Sequence, residues 1–260
     1  KMKNYGIFTV IFALYLLSGF AYARTANPLL LAQADAVTFA DLGVEDPGLL
    51  PTNPFYFFKE FGRTMRRVFT FNPVSRAELE LNIVNEKAAE LKKVDELNCK
   101  NNDAIAGAIR NYRDAQEILK EKFESLKETS QNPNIDKLIE KFSERFVQHE
   151  KIFDALALKF DKNEEIKNLS ESAKGTLEQT AIAVAKKDDP EKFAKKIGKF
   201  LDAGRDGELK NIQSSEITDR LRKKASDEVK NELDVLHEGF SVKAREDIKN
   251  LLEKKTVPEL

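Results

Sequence analysis

The chain has 260 residues, with 43 basic and 44 acidic side chains and a formal net charge of −1. That balance excludes general nucleic-acid binding, which rests on a strong positive field. With 33% charged and 41% hydrophobic residues, 11 glycines, no tryptophan and one cysteine, the composition points to charge-coated helices. A lone Cys99 leaves no intrachain disulfide, so packing alone must hold the fold.

The first 23 residues pair Lys1 and Lys3 with an almost unbroken apolar run, Gly6 to Phe20, followed by the small-residue site Ala21-Tyr22-Ala23. This is the pattern of an export signal over residues 1–23. It predicts a periplasmic, cell-surface or extracellular protein. A retained membrane anchor is the other reading, although the run falls short of the roughly 20 residues that span a bilayer. Cleavage after Ala23 would remove two lysines and no acid, taking the balance to −3. Residues 24–46 sustain neither a helical nor a strand period and read as a flexible or irregularly docked leader.

Helical period takes over at Pro47. Thr52 or Asn53 can cap a helix whose first position is Pro54, and Asn72-Pro73 repeats the same chemistry after a sharp corner. In the first of these helices Phe55, Phe58, Phe61, Met65, Val68 and Phe69 share one side, with Lys59, Arg63, Arg66 and Arg67 mostly on the other. The expectation is that the aromatic side packs on the bundle and the cations face out.

Four long amphipathic segments follow, with apolar stripes at Ala77–Leu91, Ile105–Leu126, Ile135–Phe160 and Ile166–Val184. Short polar breaks between them predict that sequential helices run antiparallel as neighbours. A helix from Asp189-Pro190 to Ala203, another from about Ser215 (a possible cap) to His237, and a last short one after Gly239 complete the chain. The fold class is therefore all-α, a multi-helix antiparallel bundle or helical hairpin array. Residues 47–187 form its core, and residues 188–260 form a C-terminal helical segment packed on it.

The stretch from Gly48 to Leu97 also carries a resemblance. Pro51 to Tyr56, Phe69 to Pro73 and Arg76 to Leu79 match a Pro-x-Ser/Thr/Asn-Pro-Phe/Tyr-Tyr start, a Phe-x-Phe-Asp/Asn-Pro corner and an Arg-Ala-Glu-Leu helix. This resembles a widespread family of exported prokaryotic all-helical proteins of unknown function. The resemblance implies fold and export, and it implies no catalytic residue.

The chain offers little catalytic chemistry. His149 and His237 are the only histidines, neither begins an HExxH, and no phosphate loop or nucleophile elbow is present. His149 lies on an apolar stripe and reads as a core residue; His237 reads as a solvent-facing or helix-end residue. Asp202, Asp206 and Glu208 fall at positions one, five and seven of a calcium loop with Gly207 at six. Gly204 at three and Gln213 at twelve remove two of its oxygen ligands, so a glycine-ended helix is expected there and calcium is the alternative. No other cofactor is expected. Lys59, Arg63, Arg66 and Arg67 are the candidate partner- or membrane-docking residues. The expected function is non-enzymatic: interaction or scaffolding in the cell envelope or outside the cell, through a protein partner, with peripheral membrane contact allowed. A chaperone-like envelope-stress protein or a metal-binding one is the alternative, and carboxylate-only hydrolysis is a third.

Overall fold

Four asparagines and an aspartate set where helices begin. Asn72 Oδ1 accepts the N–H groups of Val74 and Ser75 at 2.9 and 3.1 Å. Asn101, Asn132, Asn163 and Asp189 do the same for the next four starts. Each side-chain oxygen satisfies one of the orphan amides of a first turn.

The structure is a computed structural model that describes residues 37–97, 100–128, 132–205, 207 and 209–256, the last three as backbone. The signal segment, the first part of the leader, Cys99, Asp206 and Glu208 lie outside the described residues. A 3-10 turn, Ala40–Leu42, precedes eight helices among the described residues: α1 Tyr56–Phe69, α2 Pro73–Leu97, α3 Asn102–Ser125, α4 Pro133–Lys159, α5 Glu164–Ala185, α6 Pro190–Ala203, α7 Lys210–Lys224 and α8 Asp227–Thr256. The all-α bundle is as the periodicity predicts.

Helices α2, α3, α5 and α4 close a ring in that order, each packing on the next. This differs from the simple sequential arrangement. Helices α3 and α4, consecutive in the chain, meet across the core through aromatic rings: Tyr112 with Phe153 at 5.0 Å and Phe123 with Phe142 at 5.5 Å between centroids. The stripes supply the interior, from Ala77, Leu81, Val84, Ala88 and Leu91 of α2 to Ala173, Leu177 and Ala181 of α5, all buried. Helices α6, α7 and α8 pack on one another, with α6 against α4 and α7 against α5.

Several boundaries differ from the sequence reading. Helix α1 starts at Tyr56 and not at Pro54, since Asn53 Oδ1 accepts the Phe55 N–H in a turn before the helix, and α7 starts at Lys210. The chain breaks at Ala225, which is extended, and resumes at Asp227 with two acids in the first turn; α8 then runs through Gly239 without interruption. A single glycine costs a helix only about 1 kcal/mol, less than a long packed helix gains. Ser215 accordingly lies inside α7 and caps nothing; its Oγ sits 2.8 Å from that of Ser241. The leader is docked from Val37 onward, with Leu42 fully buried against the bundle. Thr38 and Asp41 close its turn reciprocally: Asp41 Oδ2 accepts from Thr38 N and Oγ1, both at 2.7 Å, and Asp41 N donates back at 3.2 Å. Gly43 ends it at φ 69°, a left-handed conformation suited to glycine, beside the Arg145 guanidinium.

Candidate functional site

Helix α1 is amphipathic in the ordinary way but mounted the other way round. Tyr56, Glu60, Arg63 and Arg67 recur at steps of four, three and four, Lys59 lies beside them, and the stripe they make faces α2. Under it, α2 presents Glu86 and Glu90 on the side away from its apolar stripe, with Glu80 and Lys87 on the flank between the two.

Arg63 is the centre of the contact and is 0% exposed. Its Nη2 reaches Glu86 Oε2 and Glu90 Oε1, both at 2.7 Å, its Nε donates to Glu86 at 3.0 Å, and its Nη1 donates to Glu60 at 2.5 Å. Tyr56 Oη donates to Glu90 at 2.5 Å and accepts from Lys87 and Arg63. Lys87 Nζ also meets Glu60 at 2.5 Å. Arg67 forks onto both oxygens of the buried Glu80, at 2.8 and 3.1 Å from its Nε. Lys59 pairs with Glu90 and donates to the Pro47 and Leu49 carbonyls, fastening the preceding loop. Arg76 of α2 donates to the Arg67 carbonyl, covering an orphan group at the end of α1.

The electrostatics fit a closed ion network. Burial pushes the Glu60 carboxyl up, but the hydrogen bond and charge of Lys87, with Tyr56 and Arg63, outweigh it and hold the group at about 2. Burial opposes the Arg63 charge, yet Glu90 and Glu86 raise its proton affinity further. Burial, then Glu90, drives Tyr56 well above the ordinary phenol range. Lys87 is lowered, because its burial exceeds the help of Glu60 and Glu90.

The aromatic side is consequently outermost. Phe55, Phe57, Phe58, Phe61, Val68 and Phe69 are each more than half exposed, and Phe71 at the corner is 83% exposed. This corrects the expectation that these rings pack on the bundle with the four cations facing solvent. The physical reason lies in α2, whose upper side carries acids and a lysine that no apolar surface can satisfy, whereas Arg63 and its neighbours can. Of the four predicted docking cations, Lys59, Arg63 and Arg67 are engaged internally. Arg66 is half exposed and touches Glu86 at 3.4 Å.

Beside the same helix lies a cleft of about 780 Å³, lined by the 43–49 loop, Phe58, Arg66, Asn82, Asn85 and Glu86. Asn85 is buried there with its Oδ1 unpaired.

The other predicted residues are dispersed. Asp202 ends α6 and lies 3.6 Å from Lys243 on α8. Gln213, the last position of the supposed calcium loop, accepts instead from the buried Arg205 at 2.6 Å, and Arg205 also donates to Asp154 at 2.9 Å. No group of three His, Cys, Asp or Glu side chains among the described residues is placed to hold a metal. His149 is buried, with Nδ1 3.0 Å from Tyr112 Oη; burial, with Arg145 adding, lowers it to about 3 and keeps it neutral. His237 sits mid-helix between α7 and α8 with Nδ1 3.0 Å from the Ser215 carbonyl oxygen, not at a solvent-facing end.

A second ionic cluster, missed in the sequence, joins α4, α5 and α7. Glu150 is fully buried and meets Arg220 at 2.6 Å and Lys174 at 3.3 Å; Glu178 meets Arg220 and Lys224. Burial pushes the Glu150 carboxyl up against the pull of Lys174 and Arg220, while Asp154 stays low because Lys174 and Arg205 outweigh its burial. Glu150 is sealed from solvent, and its Oε1 has no hydrogen-bond partner among the described residues. No helix among the described residues is long and apolar enough to cross a membrane.

Residues 48–144 match a family described as Domain of unknown function (DUF5667), spanning α1, α2, α3 and part of α4. No curated protein and no solved structure matches the chain.

Proposed function

We propose that this chain is an exported, non-enzymatic interaction protein of the cell envelope or extracellular space whose contact surface is the outward aromatic face of α1. One observation carries the reading: the ion network fixes α1 with six phenylalanine rings, counting Phe71, turned to solvent. Their exposed area is on the order of 800 Å², given the size of the ring side chains. Monomeric proteins rarely expose so large a contiguous apolar patch without using it. The export half of the proposal rests on the Lys1–Ala23 pattern.

A photo-reactive residue at Phe58, set against one at Val235 on α8, tests this in intact cells. Cross-links that depend on the α1 position support the reading. Cross-links from α8 with none from α1 would sink it. The chaperone-like alternative draws on the same exposed rings; suppression of aggregation of an unfolded client, lost on Phe58→Ser, would favour it.

A further inference from the structure

We propose that what α1 meets is the headgroup–acyl boundary of a lipid bilayer, with the helix lying in the plane of that boundary. The proposal rests on the reading of α1 as the contact face and names its partner.

Shape is the first argument. At the α-helical step Phe57, Phe58, Phe61, Met65, Val68 and Phe69 fill an arc of about 120°. The stripe that grips α2 lies on the opposite side, so the arc points straight away from the bundle. A second rigid helix would pack at about 8–10 Å between axes and cover only the middle of this arc, leaving the flanking rings in water. A deformable interface covers all of it. Interfacial helices sink about 5–10 Å, which immerses the apolar half of a rod about 10–12 Å across and leaves its charged half above.

Charge is the second. The arc carries no ionisable group, so it enters an apolar layer without desolvating one. At its border stands Arg66, half exposed and weakly held, on a stem long enough to reach a lipid phosphate. The other three cations are committed to the glutamates of α2, and the chain is slightly acidic overall. Ring burial therefore drives the docking, and its dependence on salt and on anionic lipid is weak.

The third argument is the chain itself. Gly6–Phe20, led by Lys1 and Lys3, is a segment made to engage a membrane.

The absence of tryptophan makes the test direct. In the full chain, Phe61→Trp places a lone indole on the arc and Val235→Trp places one on α8. Each is mixed with phosphatidylcholine vesicles, with and without phosphatidylglycerol, and with vesicles whose acyl chains carry bromine. The expected result is a blue shift and bromine quenching for Phe61→Trp on both lipid mixtures, with Val235→Trp unchanged. Adding Phe58→Ser and Phe69→Ser should weaken partitioning at least about tenfold, given the size of a buried ring's contribution. Quenching equal at both positions would overturn the proposal, since residues 6–20 would then account for binding. A blue shift without vesicles that grows with protein concentration would also overturn it, assigning the face to a second copy and leaving the contact-surface reading intact. No shift under either condition overturns it as well, and the cellular cross-links from Phe58 then decide whether the contact-surface reading survives.

Discussion

Helix α1 is far more sharply amphipathic than α5, yet it is α5 that is held mainly by its apolar side and α1 by its charged one. Helix α5 buries Leu177, Ala181 and Val184 in the ring of four helices, and its one fully buried charge, Glu178, sits at the edge toward α7 paired with Arg220 and Lys224. Helix α1 buries arginine, glutamate and tyrosine and leaves phenylalanine outside. An amphipathic pattern thus says that a helix has two unlike faces; which one is buried depends on the surface waiting for it. Where α2 offers acids, ion pairing wins, because an unpaired buried carboxylate costs more than an exposed ring.

The largest predicted effect belongs to the bundle. Phe153→Ala empties a site packed against Tyr112 and should lower global stability by about 3–5 kcal/mol in chemical denaturation, with the unfolding transition still single. Arg63→Ala should behave differently. It leaves Glu86 and Glu90 without their guanidinium, but Lys59 and Lys87 still reach Glu90, so the cost is roughly 1–3 kcal/mol and the loss stays local. Amide exchange should quicken across Tyr56–Phe69 while Leu177 and its neighbours keep their protection. Arg63→Lys should rescue only in part, since an ammonium cannot fork onto two carboxylates. If both variants unfold the whole chain together, the contrast between the helices fails.

Acid should also separate the two regions. Glu60 is held below its ordinary 4.5, at about 2, so its share of α1 attachment is complete above pH 4.5 and is lost as pH falls toward 2. His149 is held below its ordinary 6.5, at about 3, so its share of bundle stability begins to fall already below 6.5. His149→Gln cannot take up that proton and should flatten the slope between those values, read by thermal melts at stepped pH, without moving α1 exchange. The smallest expected effect is the most diagnostic. Phe61→Ser should change folding stability by no more than about 0.5 kcal/mol, because its ring contributes surface and little packing. A loss of several kcal/mol would mean that α1 is buried after all.

Much of the fold was legible because stripes and caps are local signals. Ala77 to Leu91, Ile105 to Phe123 and Ile135 to Leu156 read as core and are core, and Asn72 and Asp189 read as caps and are caps. The order of the ring was not, since short loops constrain neighbours without saying which pair crosses the middle. The inversion of α1 escaped for a sharper reason. Its signal is the complement of Glu80, Glu86, Lys87 and Glu90 to Arg67, Arg63 and Glu60, a match between two helices that periodicity within either one does not display. Glu86 and Glu90, two acids four apart on the side of α2 away from Ala77 and Leu81, were the available hint. Glu150 was hidden likewise, beside a histidine on an apolar stripe.

The corner between α1 and α2 has a kinetic meaning. Only Thr70, Phe71 and Asn72 join the helices, and Asn72 is fixed as a cap, so the free chain is about 10 Å or less. An α1 that lets go therefore stays at an effective concentration in the millimolar range or above around its own carboxylates. Ion pairs individually too weak to hold a separate peptide are enough at that concentration, and the helix returns to the same register each time it detaches.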